Sequence, residues 1–365
     1  MIIQARSGVL GNKLTDDLWV EVTQGRISDL SQGFHAAPER VIEGTLIPGF
    51  IDIHAHGGGG SYFSAHSTGE IERVIATHRS FGTTGIVASL VTESIEDLKN
   101  QILQLIPFFD QGEILGIHLE GPYLSHARCG AHEPSLLLEP KIDQLQELVT
   151  LGQGAIQMIT IAPELNGALE AIKFLSSEGI KVAIGHTDGN YFDAAAGTDS
   201  GATIVTHFLN AMSKERDEKS IANFVLNDER LLVELILDGH HVPFETASEI
   251  LSTIGSRVIL VSDAMAAAGS ADGEYVIGNL PVHVRNGTAR LASNSKLAGS
   301  TITLSQSFIN AIHKCGISLV QAVRMTSTNP AQALGITDRG AIKIGMQADL
   351  LEYLPNEKKV SLINL

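Results

Sequence analysis

From Leu46 onward the chain alternates between two hydrophobic rhythms. Short runs of β-branched and other apolar residues recur as "LIPGFIDIHAH", "TTGIVASLVTES", "EILGIHLEG", "IQMITIAPE", "KVAIGHTDG", "ATIVTHFLNAM", "LLVELILDGHH" and "RVILVSDAM", and most of them end in polar residues. Between them lie segments with apolar residues at helical spacing, among them "GEIERVIATHRSFG", "IEDLKNQILQLI", "GALEAIKFLSSEG" and "FETASEILSTIG". Eight strand-like runs alternating with helices predict parallel pairing and closure into a (β/α)8 barrel of TIM type, with an open doubly wound sheet as the alternative. The barrel is favoured because the polar residues gather at the C-terminal ends of the runs, the face where barrel enzymes keep their chemistry.

The two ends of the chain follow a different pattern. Residues 1–45 hold short alternating segments, "LWVEVTQGRISDL" and "RVIEGTL", separated by turn residues, and the final stretch "GAIKIGMQADLLEYLPNEKKVSLINL" is similar. Segments at opposite ends can pair as one small sheet beside the barrel, because chain termini often lie close together. A further β insertion is expected over Glu274–Ser293, where "RNG" reads as a hairpin turn.

Composition narrows the class. With 44% hydrophobic and 18% charged residues in 365, the chain is a well-packed globular protein of one large and one small unit. A net charge of −16 argues against nucleic acid or an anionic membrane surface as partner, although a small anionic substrate needs only a few basic groups gathered locally. Two cysteines, Cys129 and Cys315, supply no disulfide framework. No apolar run reaches the ~18–20 residues of a membrane helix, and the N-terminus lacks the form of a signal peptide, so a cytoplasmic location is expected.

The chemistry sits at the strand ends. His54 and His56 stand two apart on a predicted strand, so their side chains share a face. Glu120, His186, His207, His241 and Asp263 close later strands, with His240 beside His241. Each alone reads equally as a cap, a turn former or a core residue. Imidazole and carboxylate recurring at the same point of the β/α unit form a ligand set for a divalent metal, zinc first, with iron, cobalt or manganese as alternatives. Such a metal makes a water nucleophilic near neutral pH, and Asp263 is the best placed carboxylate to move its proton. No G-x-S-x-G elbow or phosphate loop is present, so covalent catalysis has little support, and the glycines after His56 are a turn.

The run "PGFIDIHAHG" resembles the metal-binding opening of the amidohydrolase superfamily. The stretches "GIHLEGPYLS", "GHTDG", "THFLNAM", "LILDGHHV", "VSDAM", "LAGSTITL", "TSTNPAQALGI" and "GAIKIGMQADLL" together resemble the N-acetylglucosamine-6-phosphate deacetylases within it, in order from about residue 45 to 351. The resemblance implies a barrel over residues 46–335 and a small β-sandwich domain built from 1–45 and 336–365. It implies deacetylation of an amino-sugar phosphate by a homodimer. Glu120, His186 and His207 would hold the main metal, while His54 and His56 leave room for a second. Asp263 would be the catalytic acid and base, and His241 would polarise the acetyl carbonyl. Ala131, His132, Asn210, Ala211, Asp238, Gly239, His240, Leu297, Ala298 and Gly299 would contact the substrate.

One stretch departs from that pattern. The family has a loop ending in Arg-Glu-Pro-Gly after "NAMS", whose arginine binds the substrate phosphate, often across a subunit interface. Here the sequence is "NAMSKERDEKSIANF", about two residues shorter and without Pro-Gly. Arg216 is the nearest match, with Lys214 and Lys219 as substitutes and a solvated charge run as the plain alternative. The changed loop leaves the galactosamine epimer and a cyclic amide open as substrates. A barrel scaffold without catalysis is disfavoured by the presence of the whole ligand set. Cys129 is read as a loop residue, passive or part of a lid.

Overall fold

The computed structural model of the chain describes every residue except His66, Glu215 and Arg216. Eight parallel strands form one sheet in sequential order: Phe50–Ala55, Thr83–Leu90, Gly116–Glu120, Ile156–Ile161, Lys181–Ile184, Ile204–Val205, Leu232–Ile236 and Val258–Val261. The first and eighth meet through Asp263 N–H to His54 O at 2.8 Å and His56 N–H to Ala264 O at 2.9 Å. Those two bonds close the barrel that the sequence predicts, and they do so inside the candidate site.

The alternation of each strand divides its residues between two cores. Ile86, Ala88 and Leu90, Ile117 and Leu119, Ile159 and Ile161, and Val182 and Ile184 pack with apolar faces of the surrounding helices. Val87, Met158, Ala183, Ile204 and Ile259 form a second apolar cluster lining the barrel interior. Two residues further along the same inward rows stand Ser89, Thr160 and Thr206, all buried and all polar. Apolar packing therefore gives way to a polar layer just beneath the C-terminal rim.

The helices are built by the residues that predict them. In Ile95–Asp110, Ser94 caps the N-terminus by accepting from Asp97 N–H, and Leu98, Ile102 and Leu105 recur on the buried face. Each of those side chains contributes about 1.5–3 kcal/mol by leaving water.

Both chain ends contribute to one six-stranded sheet. At its centre Arg40–Pro48 pairs parallel to Ile2–Leu10 and antiparallel to Leu350–Leu354. This strand runs through Gly49 directly into the first barrel strand, so the sheet grips that strand from behind. A three-stranded sheet, Gly273–Ile277, Leu280–Arg285 and Thr288–Leu291, fills the expected insertion. Its "RNG" turn has positive φ at both Asn286 and Gly287, 52° and 68°, the conformation of a two-residue type I′ hairpin. Among the described residues no helix is long and apolar enough to cross a membrane.

Candidate metal centre

Glu120 ends the third strand and forms the hub of the site. Its Oε1 lies 3.0 Å from His207 Nε2, 3.2 Å from His186 Nε2 and 3.4 Å from His54 Nε2. Its Oε2 lies 3.1 Å from His56 Nε2 and 3.3 Å from His132 Nε2. Asp263 Oδ1 approaches His56 Nε2 at 3.3 Å and His54 Nε2 at 3.6 Å. The structure thus brings together His54, His56, Glu120, His186, His207 and Asp263, from five strand ends of the barrel rim.

The other ring nitrogens show which atoms are free to bind a cation. His54 Nδ1 faces the Glu234 carboxylate at 2.9 Å, His56 Nδ1 faces Ser89 O at 3.2 Å, and His186 Nδ1 faces Arg128 O at 2.9 Å. Each of these partners only accepts, so Nδ1 carries a proton and Nε2 is the atom turned inward, available to a cation once it gives up any proton of its own. The Nε2 atoms of His54 and His56 stand 3.2 Å apart. A shared cation is the natural occupant: nitrogens at ~2.0–2.1 Å from zinc in tetrahedral arrangement stand about 3.4 Å apart.

His132 reads the opposite way. Its Nδ1 receives Thr92 N–H at 3.2 Å and the Thr92 hydroxyl at 2.8 Å, which puts its proton on Nε2, donated to Glu120 Oε2. It steadies the carboxylate instead of offering a ligand atom, although proximity alone groups Glu120, His132 and His186 as a potential triad.

Charge makes the same demand. Glu120, Asp263 and Glu234 are buried, and the ion-pair partners of all three are imidazoles. Burial pushes the Glu120 carboxyl up, but the charges of His54 and His186 and the hydrogen bonds of His132 and His186 outweigh it and hold it well below the usual range. Burial likewise raises Asp263, and the hydrogen bond from His56 with the charges of His54 and His56 more than reverses this. Burial opposes the charged form of His54, yet Glu120 and Glu234 raise it well above its ordinary value. For His186 burial dominates and lowers it to about 4. Buried carboxylates with no lysine or arginine partner among the described residues suit a bound cation.

Backbone conformation keeps these side chains in place. His186, His207 and Asp263 all have positive φ, 47°, 26° and 47°, immediately beyond their strands. Such conformations cost of order 1–3 kcal/mol each for non-glycine residues and persist only where the surroundings impose them. Gly130 packs against His186 so closely that a Cβ there would lie 2.9 Å from its Cε1.

A cavity of about 310 Å³ opens above this cluster. Its wall includes the predicted Ala131, His132, Asn210, Ala211, His241, Leu297 and Gly299, together with Asp263. Asp238 stands behind His241, and its Oδ2 faces His241 Nδ1 at 2.7 Å. His240 is exposed, Gly239 lies in the turn between them, and Ala298 is buried with its N–H on Ala289 O, so none of these lines the wall. Arg216 lies outside the described residues. Lys214, Lys219 and Cys129 are off the wall, and among the described residues the lysine and arginine on it are Lys296 and Arg128. Arg128 is tied to Asp188 at 2.7 Å, whereas Lys296 is exposed and has no ion pair among the described residues.

Several supporting residues escape the sequence reading. Ser89 Oγ bonds His118 Nδ1 at 3.0 Å, His118 Nε2 bonds Thr160 Oγ1 at 2.8 Å, and Thr160 Oγ1 bonds Thr206 Oγ1 at 2.9 Å. Burial and the neighbouring charge of His54 keep His118 well below its ordinary value and hence neutral. Asp52 and Glu234 are equally hidden, the second as the lone acid within "LLVELIL". A charged residue inside an apolar strand is the signal that marks Glu234.

Comparison with known proteins agrees with this geometry. Residues 45–353 match the model of the amidohydrolase family. An N-acetylgalactosamine-6-phosphate deacetylase of Escherichia coli O157:H7 is 30% identical over 93% of this chain and 92% of its own length. An N-acetylglucosamine-6-phosphate deacetylase of Lysinibacillus sphaericus is 33% identical over 91% of this chain and 88% of its own. The solved structure of N-acetyl-D-glucosamine-6-phosphate deacetylase from Mycobacterium smegmatis, in complex with N-acetyl-D-glucosamine-6-phosphate, superposes with a TM-score of 0.96 at 40% identity, covering 100% of this chain and 97% of that one.

Proposed function

We propose, for a chain that belongs to the amidohydrolase family, hydrolysis of the acetamide of N-acetyl-D-glucosamine 6-phosphate to acetate and D-glucosamine 6-phosphate. The observation that carries this reading is the facing of Asp263 and His241 across one cavity, above a nest of imidazole nitrogens centred on Glu120.

Glu120, His186 and His207 hold a divalent cation, zinc first, with iron, cobalt or manganese as alternatives, and His54 and His56 hold a second where it joins. When bound, the cation lowers the pKa of a water toward ~7 and polarises a carbonyl oxygen. Asp263 takes the proton of the attacking water at Oδ1 and later returns it to the amine nitrogen as the C–N bond breaks. His241, with Nδ1–H donated to Asp238, stabilises the charge that develops on the acetyl oxygen by donating Nε2–H as the doubly protonated ring, whose charge Asp238 balances. Ala131, His132, Asn210, Ala211, Leu297 and Gly299 surround the sugar. Lys296 meets the phosphate, because it lines the cavity and has no ion pair among the described residues. The enzyme works as a cytoplasmic homodimer.

The likeness to an N-acetylgalactosamine-6-phosphate deacetylase keeps the epimer as a second reading. The test is acetate release by chelator-stripped protein, with metals restored one at a time. N-acetylglucosamine 6-phosphate, its galactosamine epimer and the unphosphorylated sugar are compared. Activity should vanish on stripping, return with zinc and be highest on the glucosamine phosphate. Preference for the epimer transfers the assignment to it, and no release from either phosphate in any metal overturns it.

A further inference from the structure

We propose that Glu234 is a positioning residue that sets whether the site holds one cation or two, by fixing the ring of His54. The inference rests on the metal-binding reading above, and its readout is bound metal, independent of substrate.

Glu234 lies in the middle of the seventh strand and is fully buried. Its Oε2 accepts from His54 Nδ1–H at 2.9 Å and from the backbone N–H of His207 at 3.2 Å. Its Oε1 is buried with no hydrogen-bond partner among the described residues. A carboxylate in such a place costs several kcal/mol of desolvation, and a leucine of similar size would spare that cost. Packing therefore does not account for an acid at this position. What the acid supplies is an acceptor for His54 Nδ1, whose hydrogen-bond partner among the described residues is Glu234.

The consequence follows from the two tautomers of imidazole. With Nδ1–H committed to Glu234, His54 turns Nε2 toward His56 Nε2 at 3.2 Å and Glu120 Oε1 at 3.4 Å. Without that acceptor the proton is free to sit on Nε2, where it points at Glu120 and bars a cation from the His54–His56 pair. His56 does not share this dependence, because Ser89 O holds its Nδ1. His207, a ligand of the first cation, receives only a backbone anchor from Glu234, and its Nε2 is also held by contact with Glu120 at 3.0 Å. Loss of Glu234 should thus strike the second cation harder than the first.

The test uses the full chain with zinc as the probe: bound metal per chain by elemental analysis, and affinities by competition with a chromophoric chelator. Glu234→Leu removes the acceptor, Glu234→Gln keeps an accepting oxygen, and His54→Leu removes the ligand. Wild type should bind two zinc ions, and Glu234→Leu should weaken the second by about 10- to 100-fold while sparing the first. Glu234→Gln should recover most of that loss. In the His54→Leu background, adding Glu234→Leu should change nothing further. Should Glu234→Leu not fold, Glu234→Asp serves instead, since it keeps the charge but draws the oxygen back from Nδ1, and loss of the second ion is again expected. A single zinc in wild type, or unaltered stoichiometry and affinity in the folded variant, overturns the proposal. If two ions bind as expected and no deacetylation occurs, the substrate assignment fails while the role of Glu234 stands.

Discussion

Asp238 holds His241 through both of its carboxylate oxygens. Oδ2 accepts the Nδ1 proton at 2.7 Å, while Oδ1 accepts the backbone N–H groups of His240 and His241 at 2.8 and 2.9 Å. One side chain thus fixes the turn and the ring that the turn carries. Burial raises Asp238, and the hydrogen bond and charge of His241 outweigh it, so the carboxyl lies below its usual range and is ionised when the ring needs it.

Asp238→Asn should therefore act through His241. An amide can satisfy the two backbone groups with its oxygen, but it then turns N–H toward Nδ1 and removes both the acceptor and the counter-charge of a doubly protonated ring. We expect kcat to fall about 10²–10³-fold, the loss associated with removing one oxyanion donor. The double variant with His241→Asn should be no worse than His241→Asn alone, as measured by steady-state kinetics. Additive losses would separate the two residues.

Asp263→Asn isolates proton transfer. The change removes the acceptor of the water's proton and leaves Glu120, His186 and His207 intact. Turnover should drop by about 10²–10⁴-fold or more while bound metal is unaltered. Near-normal turnover with full metal content would sink the role given to Asp263.

Lys296→Ala probes the phosphate contact. Loss of a rim ammonium should raise KM for the sugar phosphate about tenfold and leave kcat nearly unchanged, the signature of uniform binding. The unphosphorylated sugar should show no change in kcat/KM. Equal losses on both sugars would place the phosphate elsewhere.

Gly185→Ala tests the polar layer under the metal ligands. A Cβ there would lie 2.5 Å from Thr206 Cβ and 2.9 Å from Thr160 Cγ2. Neither threonine is free to swing, since their hydroxyls bond each other at 2.9 Å and Thr160 also bonds His118 at 2.8 Å. The substitution should cost about 1–3 kcal/mol of stability, seen as a lower urea midpoint. An unshifted midpoint would mean that the layer yields.

The parts of this molecule that were readable in its sequence share one property: their signal is periodic or repeated. Eight apolar runs announce the barrel strands, and residues at the ends of several, such as Glu120, His186 and His207, repeat the same position in the β/α unit. The "RNG" turn is equally local. Glu234, His118, Thr160 and Thr206 are single polar residues in apolar strands whose partners lie on other strands, so nothing adjacent in sequence explains them. The role of His132 depends on Thr92, which becomes its neighbour only across the rim. Lys296 reaches the cavity because the hairpin sheet folds over it. The left-handed backbone at His186, His207 and Asp263 carries no residue signature, since histidine and aspartate are imposed there by the surrounding structure.

The bond from Asp263 N–H to His54 O joins the eighth strand to the first, and the strand behind His54 is clasped by Leu350–Leu354. During synthesis, then, the earliest ligands leave the ribosome long before the carboxylate that works beside them, and the clasp arrives later still. An unfinished chain already carrying His54, Glu120 and His186 has no closed ring to aim them. The ring is complete only with the final strands, so the aim of its earliest side chains is set by the last part of the barrel to be made.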